Sequence, residues 1–536
     1  MTSKNIEPEL IEEKNEDKNE DKNEEKNEKY LLIVLFILAL TIRIVVFIQN
    51  GNHAADGMYR TILAMNWLKD PYFITGGLWP PLDLYLMALT TLIFNDPIVS
   101  TRLVSLIFGI LTIFPFYYLV KLVFDKRIAT ISTLILTFVS IHVQYSTYSM
   151  SEVPLAFFLI TSLYFFFRFK KGDKRLTDLI ISAIFLNLAS MTRYEAWLFI
   201  PLLTIFTFDL KNIKNTSLKN ILGNNVKYFF IFLIISLIFP IFWMVGNYNS
   251  YGDLFYGQTW GDKWIKANTM LNPDSQWLNP PFYKKLIAWP GAILYALNIV
   301  SIFAGIGLLA SLIKSKNLEF LSIFLILIGI FTYKLINMTM MSQPRHIIMP
   351  IFFIIPYFTI GLDMVLDMIS KYITNNINWR KSVTMIVIGF FIITSSYTAI
   401  AKNPYITPDY VYNVSEWIKT NVKSNETVLL DEYNWWGLHI LFFSGLNTTF
   451  TEDYLKTLEY VTDQIRIVPA GGKKIDDIIT ISYLEKNPTY LVYSPKGKLA
   501  KVLNFASKCQ NEKYHDYLFE CEYATENYNI YKINRA

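Results

Sequence analysis

The sequence predicts a polytopic α-helical membrane protein of about eleven transmembrane helices with a C-terminal soluble α/β domain. Three observations carry this. The 536 residues are 53% hydrophobic and only 17% charged, against roughly 25% charged in a soluble domain, and the apolar residues fall in blocks long enough to cross a bilayer. The basic residues of the connecting loops follow the positive-inside pattern. Beyond about residue 402 the blocks give way to alternating helix-length and strand-length segments. A disordered chain, a collagen-like fibre and an ordinary soluble enzyme are excluded. The net charge of +5, from 49 basic and 44 acidic residues, is too small to argue for a nucleic-acid partner.

The first 29 residues hold six Lys and eleven acids in a repeating Lys-Asn-Glu/Asp unit. With almost nothing apolar to bury, this tail is expected to be disordered and cytoplasmic. The apolar block Leu31 to Ile48 follows an acidic segment and has no small-residue cleavage site after it, so it reads as a span rather than a signal peptide. Further blocks lie at about 103–120, 128–146, 153–168, 177–190, 195–210, 226–246, 286–312, 318–335, 347–367 and 382–401. Leu82 to Phe94 is too short to cross and carries Asp83, so it is placed as a helix lying near the surface.

The loop charges support that placement. With the N-terminus inside and Leu82–Phe94 not crossing, the inner loops hold 17 Lys and Arg, among them the run Arg168 to Arg175, while the short outer loops hold only Arg193 and Arg345. The membrane domain is then 30–402, with long outer loops at 49–102 and 247–285, and the extracytoplasmic domain is 403–536. A plasma-membrane, multi-pass protein surrounded by membrane lipids is the expectation. In the outer domain, helices are expected at Tyr410–Asn421, Trp436–Phe443 and Lys498–Ala506, and strands at Thr427–Leu430, Thr489–Tyr493 and Tyr528–Ile533. Cys509 and Cys521 fall there, as a disulfide or as two buried thiols. Sequons at Asn337, Asn413, Asn425 and Asn447 are also placed outside.

Ionisable groups at membrane depth are costly and mark functional sites. Here they gather at the outer leaflet: Asp56 with Tyr59 and Arg60 after the first span, Arg102 opening the second, Glu152, then Arg193 and Glu195, then Lys334, Arg345 and His346. Several cations at one leaflet suit a phosphate at headgroup depth, where Arg forks its oxygens and Lys adds a point charge. A carboxylate nearby can take a proton from an acceptor hydroxyl. Simpler roles compete: Arg102 snorkelling at a helix end, Arg193 and Glu195 as a structural pair, His346 as an interfacial histidine, and Asp70, Asp83 and Asp96 as solvated or capping residues.

The sequence resembles the GT-C glycosyltransferases, in particular the group of dolichyl-phosphate-mannose protein mannosyltransferases and lipid A aminoarabinose transferase. The resemblance spans about residues 30–400. It rests on Asp56 soon after the first span, Trp79-Pro80-Pro81-Leu82, Arg102 to Gly109, Ser151-Glu152-Val153-Pro154, Thr192-Arg193-Tyr194-Glu195 and Pro344-Arg345-His346. It implies an outward-facing site, a polyprenyl- or dolichyl-phosphate sugar donor, a protein, lipid or glycan acceptor, and inversion at the anomeric carbon. It makes Asp56 the catalytic base and gives Glu152 a second catalytic role. Arg102, Arg193, Lys334, Arg345 and His346 are expected at the donor phosphate, with Tyr59, Arg60 and Glu195 in support. A divalent metal (Mg or Mn) is left open, with Asp56 and Glu152 as its ligands if one is used, because Ala55 and Gly57 stand where many relatives carry a second acid. The competing readings are a secondary transporter or flippase of lipid-linked or small polar substrates, and an oligosaccharyltransferase-like enzyme. Asn434-Trp435-Trp436-Gly437 only partly matches the Trp-Trp-Asp-Tyr-Gly motif of the latter. The absence of an evident internal repeat counts against a transporter.

Overall fold

The computed structural model describes residues 6–52, 56–208, 225–271, 280–371, 377–401, 406–423, 425–431, 436–445, 484, 487–497 and 499–535. Ala55, Asn434, Trp435, Asn447 and Lys498, named above, lie outside these residues, as do Lys211, Lys214 and Lys219, which are among the 17 loop cations counted there.

Helix α1 runs from Ile6 to Gln49, so the segment expected to be disordered is helical from Ile6 onward. After α1 come α2 (Asp56–Lys69), α3 (Leu82–Ile93), α4 (Pro97–Leu111), α5 (Ile113–Val123), α6 (Lys126–Phe138), α7 (Ser140–Tyr145), α8 (Glu152–Lys171), α9 (Leu176–Ser190) and α10 (Phe199–Phe206). There follow α11 (Val226–Tyr251), α12 (Tyr256–Leu271), α13 (Phe282–Leu297), α14 (Ile299–Ile313), α15 (Leu318–Ile336), α16 (Ile348–Ile354), α17 (Tyr357–Ser370) and α18 (Ile377–Ala401).

Among the described residues, six helical stretches are long and apolar enough to cross a membrane, or seven if the pair Pro344–Ile354 and Tyr357–Ser370, bent by 61°, is one span. The other expected blocks are shorter or interrupted: 128–146 breaks at Val139 and 286–312 breaks at Asn298. Helix α3 has 12 residues, about 18 Å at 1.5 Å per residue, too short for a bilayer core of about 30 Å.

Buried polar groups satisfy the break at Val139. Arg43, fully buried on α1, donates to the Thr137 carbonyl at 3.2 Å and lies 2.8 Å from His142 Nδ1, while the Ser140 N–H reaches Ser395 Oγ at 3.1 Å. Irregular backbone at membrane depth persists only where protein groups pair with it. Helices α14 and α17 approach backbone to backbone at Gly307 and Gly361, where any Cβ would strike the Tyr357 and Phe303 carbonyls.

Ion pairs tie neighbouring helices together. Lys121 meets Glu28 at 2.6 Å, Arg127 forks Asp363 at 2.8 and 2.9 Å, Lys170 meets Glu319 at 2.7 Å, and Arg168 pairs with Asp178. Helix α8 therefore carries Glu152 at one end and Arg168, Lys170 and Lys171 at the other, the order its macrodipole favours.

The C-terminal domain adds α19 (Asp409–Asn421), α20 (Gly437–Ser444) and the one-turn α21 (Ala500–Leu503) to strands β1 (Val428–Leu430), β2 (Tyr490–Tyr493), β3 (Glu512–Tyr514), β4 (Tyr517–Ala524) and β5 (Asn529–Arg535). The sheet order is β1-β2-β5-β4-β3, parallel between β1 and β2 and antiparallel elsewhere. Side chains alternate across it: Val428, Tyr490 and Ile530 face α19 and α20, while Leu429, Leu491 and Tyr531 face Phe505 and Phe519. Cys509 and Cys521 form a disulfide. Helix α20 packs on α2 and so brings this domain to the segment between α1 and α3.

Candidate active site

The site is assembled where four connections between helices meet. Asp56 opens α2 and Glu152 opens α8, so each carboxylate sits at a helix N-terminus where its charge is favoured. Arg193 lies in extended backbone just before the 3₁₀ turn Tyr194–Leu198, and Arg345 lies inside the 3₁₀ turn Pro344–Ile347. Both arginines thus leave short, tight turns that end a connection between helices.

They alternate with the acids in one network. Arg345 Nη1 donates to Asp56 Oδ2, and Arg345 Nε lies 3.7 Å from Glu152 Oε1. Arg193 Nη1 donates to the same Glu152 oxygen at 2.8 Å and to Ser151 Oγ at 3.1 Å. Its Nη2 and Nε then reach Glu195 at 2.8 and 3.1 Å. Asp56, Arg345, Glu152, Arg193 and Glu195 form a single line of opposite charges, with Asp56 its most exposed acid at 33%. The buried Glu152 Oε2 has no hydrogen-bond partner among the described residues. Burial opposes the Arg193 charge, but Glu152 and Glu195 overcome it and hold the guanidinium more firmly protonated than usual.

His346 follows Arg345 and packs edge-on against Trp289, with ring centroids 6.1 Å apart, and against Phe331 at 6.4 Å. Lys334 on α15 makes no ion pair among the described residues, and its charge acts on His346.

Two expected members stand apart. Arg102 is buried, and its Nε and Nη2 donate to the Thr147 and Phe47 carbonyls at 2.7 and 2.6 Å, with its guanidinium 4.0 Å from the Phe47 ring centroid. It ties the end of α1 to the 147–151 connection rather than reaching the acids. Arg60 pairs with Asp83 and lies 4.6 Å over Trp79, which Tyr59 meets edge-on at 5.4 Å. Asp83 was expected to be solvated or capping; it is 1% exposed, because α3 packs on α2 with that face inward. Asp96 does cap α4, accepting from the Ile98 and Val99 N–H groups.

Sequence reasoning missed the hydroxyl layer beneath Asp56. Asn52, Thr61, Thr101 and Ser149 are linked at 2.8–3.4 Å, and Asn50 reaches Thr147 at 3.2 Å. It fixes the register between α1, α2, α4 and the loop carrying Glu152. Short polar residues on apolar helices are the only signal for it.

A divalent ion between Asp56 and Glu152 does not fit this arrangement. Arg345 stands between them, where a magnesium ion would need carboxylate oxygens at about 2.0–2.1 Å. No group of three or more His, Cys, Asp or Glu side chains suited to a metal occurs among the described residues.

Residues 79–244 match the family model described as dolichyl-phosphate-mannose-protein mannosyltransferase. Among solved structures, ArnT from Cupriavidus metallidurans bound to undecaprenyl phosphate superposes with a TM-score of 0.56 at 13% identity, covering 94% of this chain and 98% of that one. The archaeal oligosaccharyltransferase AglB from Archaeoglobus fulgidus, in complex with an inhibitory peptide and a dolichol-phosphate, gives 0.55 at 13% identity, covering 87% and 70%. At these identities the likeness is one of fold. No curated protein sequence matches the chain.

Proposed function

We propose that the chain is a GT-C-type glycosyltransferase, a reading supported by its fold and by the family-model match over residues 79–244, and that it moves a sugar from a polyprenyl- or dolichyl-phosphate donor to a protein, lipid or glycan hydroxyl outside the cytoplasm. The observation that carries this reading is the Asp56–Arg345–Glu152–Arg193–Glu195 line, drawn from residues up to 289 apart.

In this reading Asp56, held by Arg345 and still open to solvent, accepts the proton of the acceptor hydroxyl. The acceptor oxygen bonds to the anomeric carbon from the face opposite the phosphate. The carbon–oxygen bond to phosphate breaks through an oxocarbenium-like state, its electron pair staying with the phosphate, and polyprenyl phosphate leaves with inversion. Glu152, fixed by Arg193, orients Arg345 and presents its second oxygen to the acceptor. Arg345, Lys334 and His346 face the phosphate. Arg193 and Arg102, whose donors are directed at protein acceptors, position the site instead. Tyr59, Arg60 and Trp79 wall the sugar side.

The topology goes with it: eleven crossings in the plasma membrane, the N-terminus cytoplasmic, and domain 403–536 extracytoplasmic. The Cys509–Cys521 disulfide suits an oxidising compartment, and the ion-paired inner ends lie on different connections from the acid line. A transporter would need its polar groups near the midplane on symmetry-related broken helices; this acid line lies at helix ends. The decisive experiment supplies labelled polyprenyl-phosphate sugars to the purified protein and identifies what becomes labelled. Transfer by the wild type but not by Asp56→Asn is the expected result; no transfer from any such donor overturns the reading.

A further inference from the structure

The transfer chemistry uses none of the four Asn-x-Ser/Thr sequons, at Asn337, Asn413, Asn425 and Asn447. Such a sequon accepts a glycan where the Asn carboxamide and the hydroxyl two residues on are both presented at the surface of a loop.

The structure separates the four. Asn337 closes α15, its Nδ2 donates to the Tyr333 carbonyl at 2.9 Å, and the Thr339 hydroxyl donates to the Lys334 carbonyl at 3.2 Å. Asn413 lies inside α19, and its partner Ser415 is buried, with Oγ donating to the Val411 carbonyl at 2.7 Å. Each of these two is committed to a helix. Asn447 lies outside the described residues.

Asn425 is different. It sits in the connection between α19, which ends at Asn421, and β1, which starts at Val428, and both Asn425 and Thr427 are exposed. Their backbone is held without help from their side chains. The Glu426 N–H donates to the Lys423 carbonyl at 3.0 Å, and the Glu426 carboxylate accepts from the Lys423 N–H at 2.8 Å. The Thr427 carbonyl accepts from the Thr489 and Tyr490 N–H groups at 2.8 and 3.0 Å. Among the described residues, nothing hydrogen-bonds to the Asn425 carboxamide or the Thr427 hydroxyl. Both groups are left to solvent, and no helix has to unwind to offer them.

We propose that Asn425 is the acceptor of an N-linked glycan supplied on a lipid phosphate or diphosphate. The carboxamide nitrogen bonds to the anomeric carbon of the lipid-linked glycan. The carbon–oxygen bond to phosphate breaks, its electron pair stays with the phosphate, and the amide proton passes to a base of the transferring enzyme. The inference goes beyond the transferase reading and takes from it only the placement of residues 403–536 outside the cytoplasm.

The test uses the full chain purified from the membranes of the cells that make it. Trypsin and Asp-N together release residues 424–430, which hold Asn425 as their one sequon. Most copies of that peptide should carry a glycan mass. Asn425→Gln and Thr427→Ala should each migrate faster on a gel by one glycan, while Thr427→Ser and Asn413→Gln migrate as wild type. A bare 424–430 peptide in every copy overturns the proposal, and so does a glycan at Asn337 or Asn413 with Asn425 bare. Lys423→Cys keeps the sequon and is labelled in intact cells with a membrane-impermeant maleimide. Labelling with a bare Asn425 overturns the acceptor alone and leaves the outward placement standing. A bare Asn425 without labelling overturns both. Retention of the glycan in the Asp56→Asn variant supports Asn425 as the substrate of a separate enzyme, and its loss there supports Asn425 as a substrate of this chain's own site. Transfer from labelled polyprenyl-phosphate sugars is read independently, so the transferase reading stands or falls on its own experiment.

Discussion

One guanidinium, that of Arg345, reaches both acids that frame the site: its Nη1 donates to Asp56 and its Nε lies 3.7 Å from Glu152 Oε1. The start of α2 and the turn Pro344–Ile347 are thereby joined at the one point where proton transfer is proposed. Asp56→Asn keeps the shape and an oxygen for Arg345 while removing the base. Transfer should fall by about 10²–10⁴-fold, with folding and donor binding close to wild type. Near-wild-type turnover in a labelled-donor assay would remove Asp56 from the mechanism.

Arg345→Ala takes away the bridge itself. Donor affinity should fall more than expression does, because the phosphate-facing side loses a cation while the fold keeps Arg193 on Glu152. Arg345→Lys should recover only part of the loss, since a single ammonium cannot hold both acids as a planar fork does. Equal donor affinity in wild type and Arg345→Ala would withdraw this residue from the phosphate side.

Arg193 is a different case, since its donors serve Glu152, Ser151 and Glu195. Arg193→Met leaves two mostly buried carboxylates without their cation and should cost about 3–5 kcal/mol of stability, seen as a lowered thermal midpoint in detergent. Adding Glu195→Gln should return part of that loss, and a double-mutant cycle reads the coupling. A midpoint unchanged by Arg193→Met would show that the pairings carry little energy.

Much of this site was legible because its members are charged residues at the ends of apolar blocks: Asp56, Glu152, Arg193, Glu195 and Arg345 each break a hydrophobic pattern where a helix begins or a turn intervenes. Their pairing was not legible. Arg193 and Arg102 look alike in sequence, yet one meets two acids and the other two backbone carbonyls, a difference set by how α4 and α9 pack. Asp83 was misjudged because its burial depends on α3 lying against α2, which periodicity on α3 alone does not reveal. In the outer domain, the strands containing Val428 and Tyr490 announced themselves by apolar runs. β3 and β4 did not, because Glu512, Glu520 and Glu522 give them a half-exposed, charged pattern. Arg43 should have drawn attention as a cation inside the first apolar block; it serves a helix break elsewhere in the chain.

The Arg60–Asp83 pair offers a comparison of buried and exposed electrostatics within one protein. Its side chains are 7% and 1% exposed, whereas those of Arg127 and Asp363 are 59% and 32% exposed. Breaking an exposed pair removes a screened interaction that water replaces, so Arg127→Ala should cost no more than about 1 kcal/mol. Asp83→Ala leaves the Arg60 charge in a dry contact between α2 and α3, and should cost about 3–5 kcal/mol. Because Arg60 also lies over Trp79, Asp83→Ala should raise the donor KM as well. The double variant Arg60→Met with Asp83→Leu should regain most of the stability, since an apolar pair of similar volume replaces buried charge well, but not the KM. Thermal midpoints and transfer kinetics on the four proteins separate the two effects. Recovery of both by the double variant would show that Arg60 holds α2 to α3 and does nothing for the substrate.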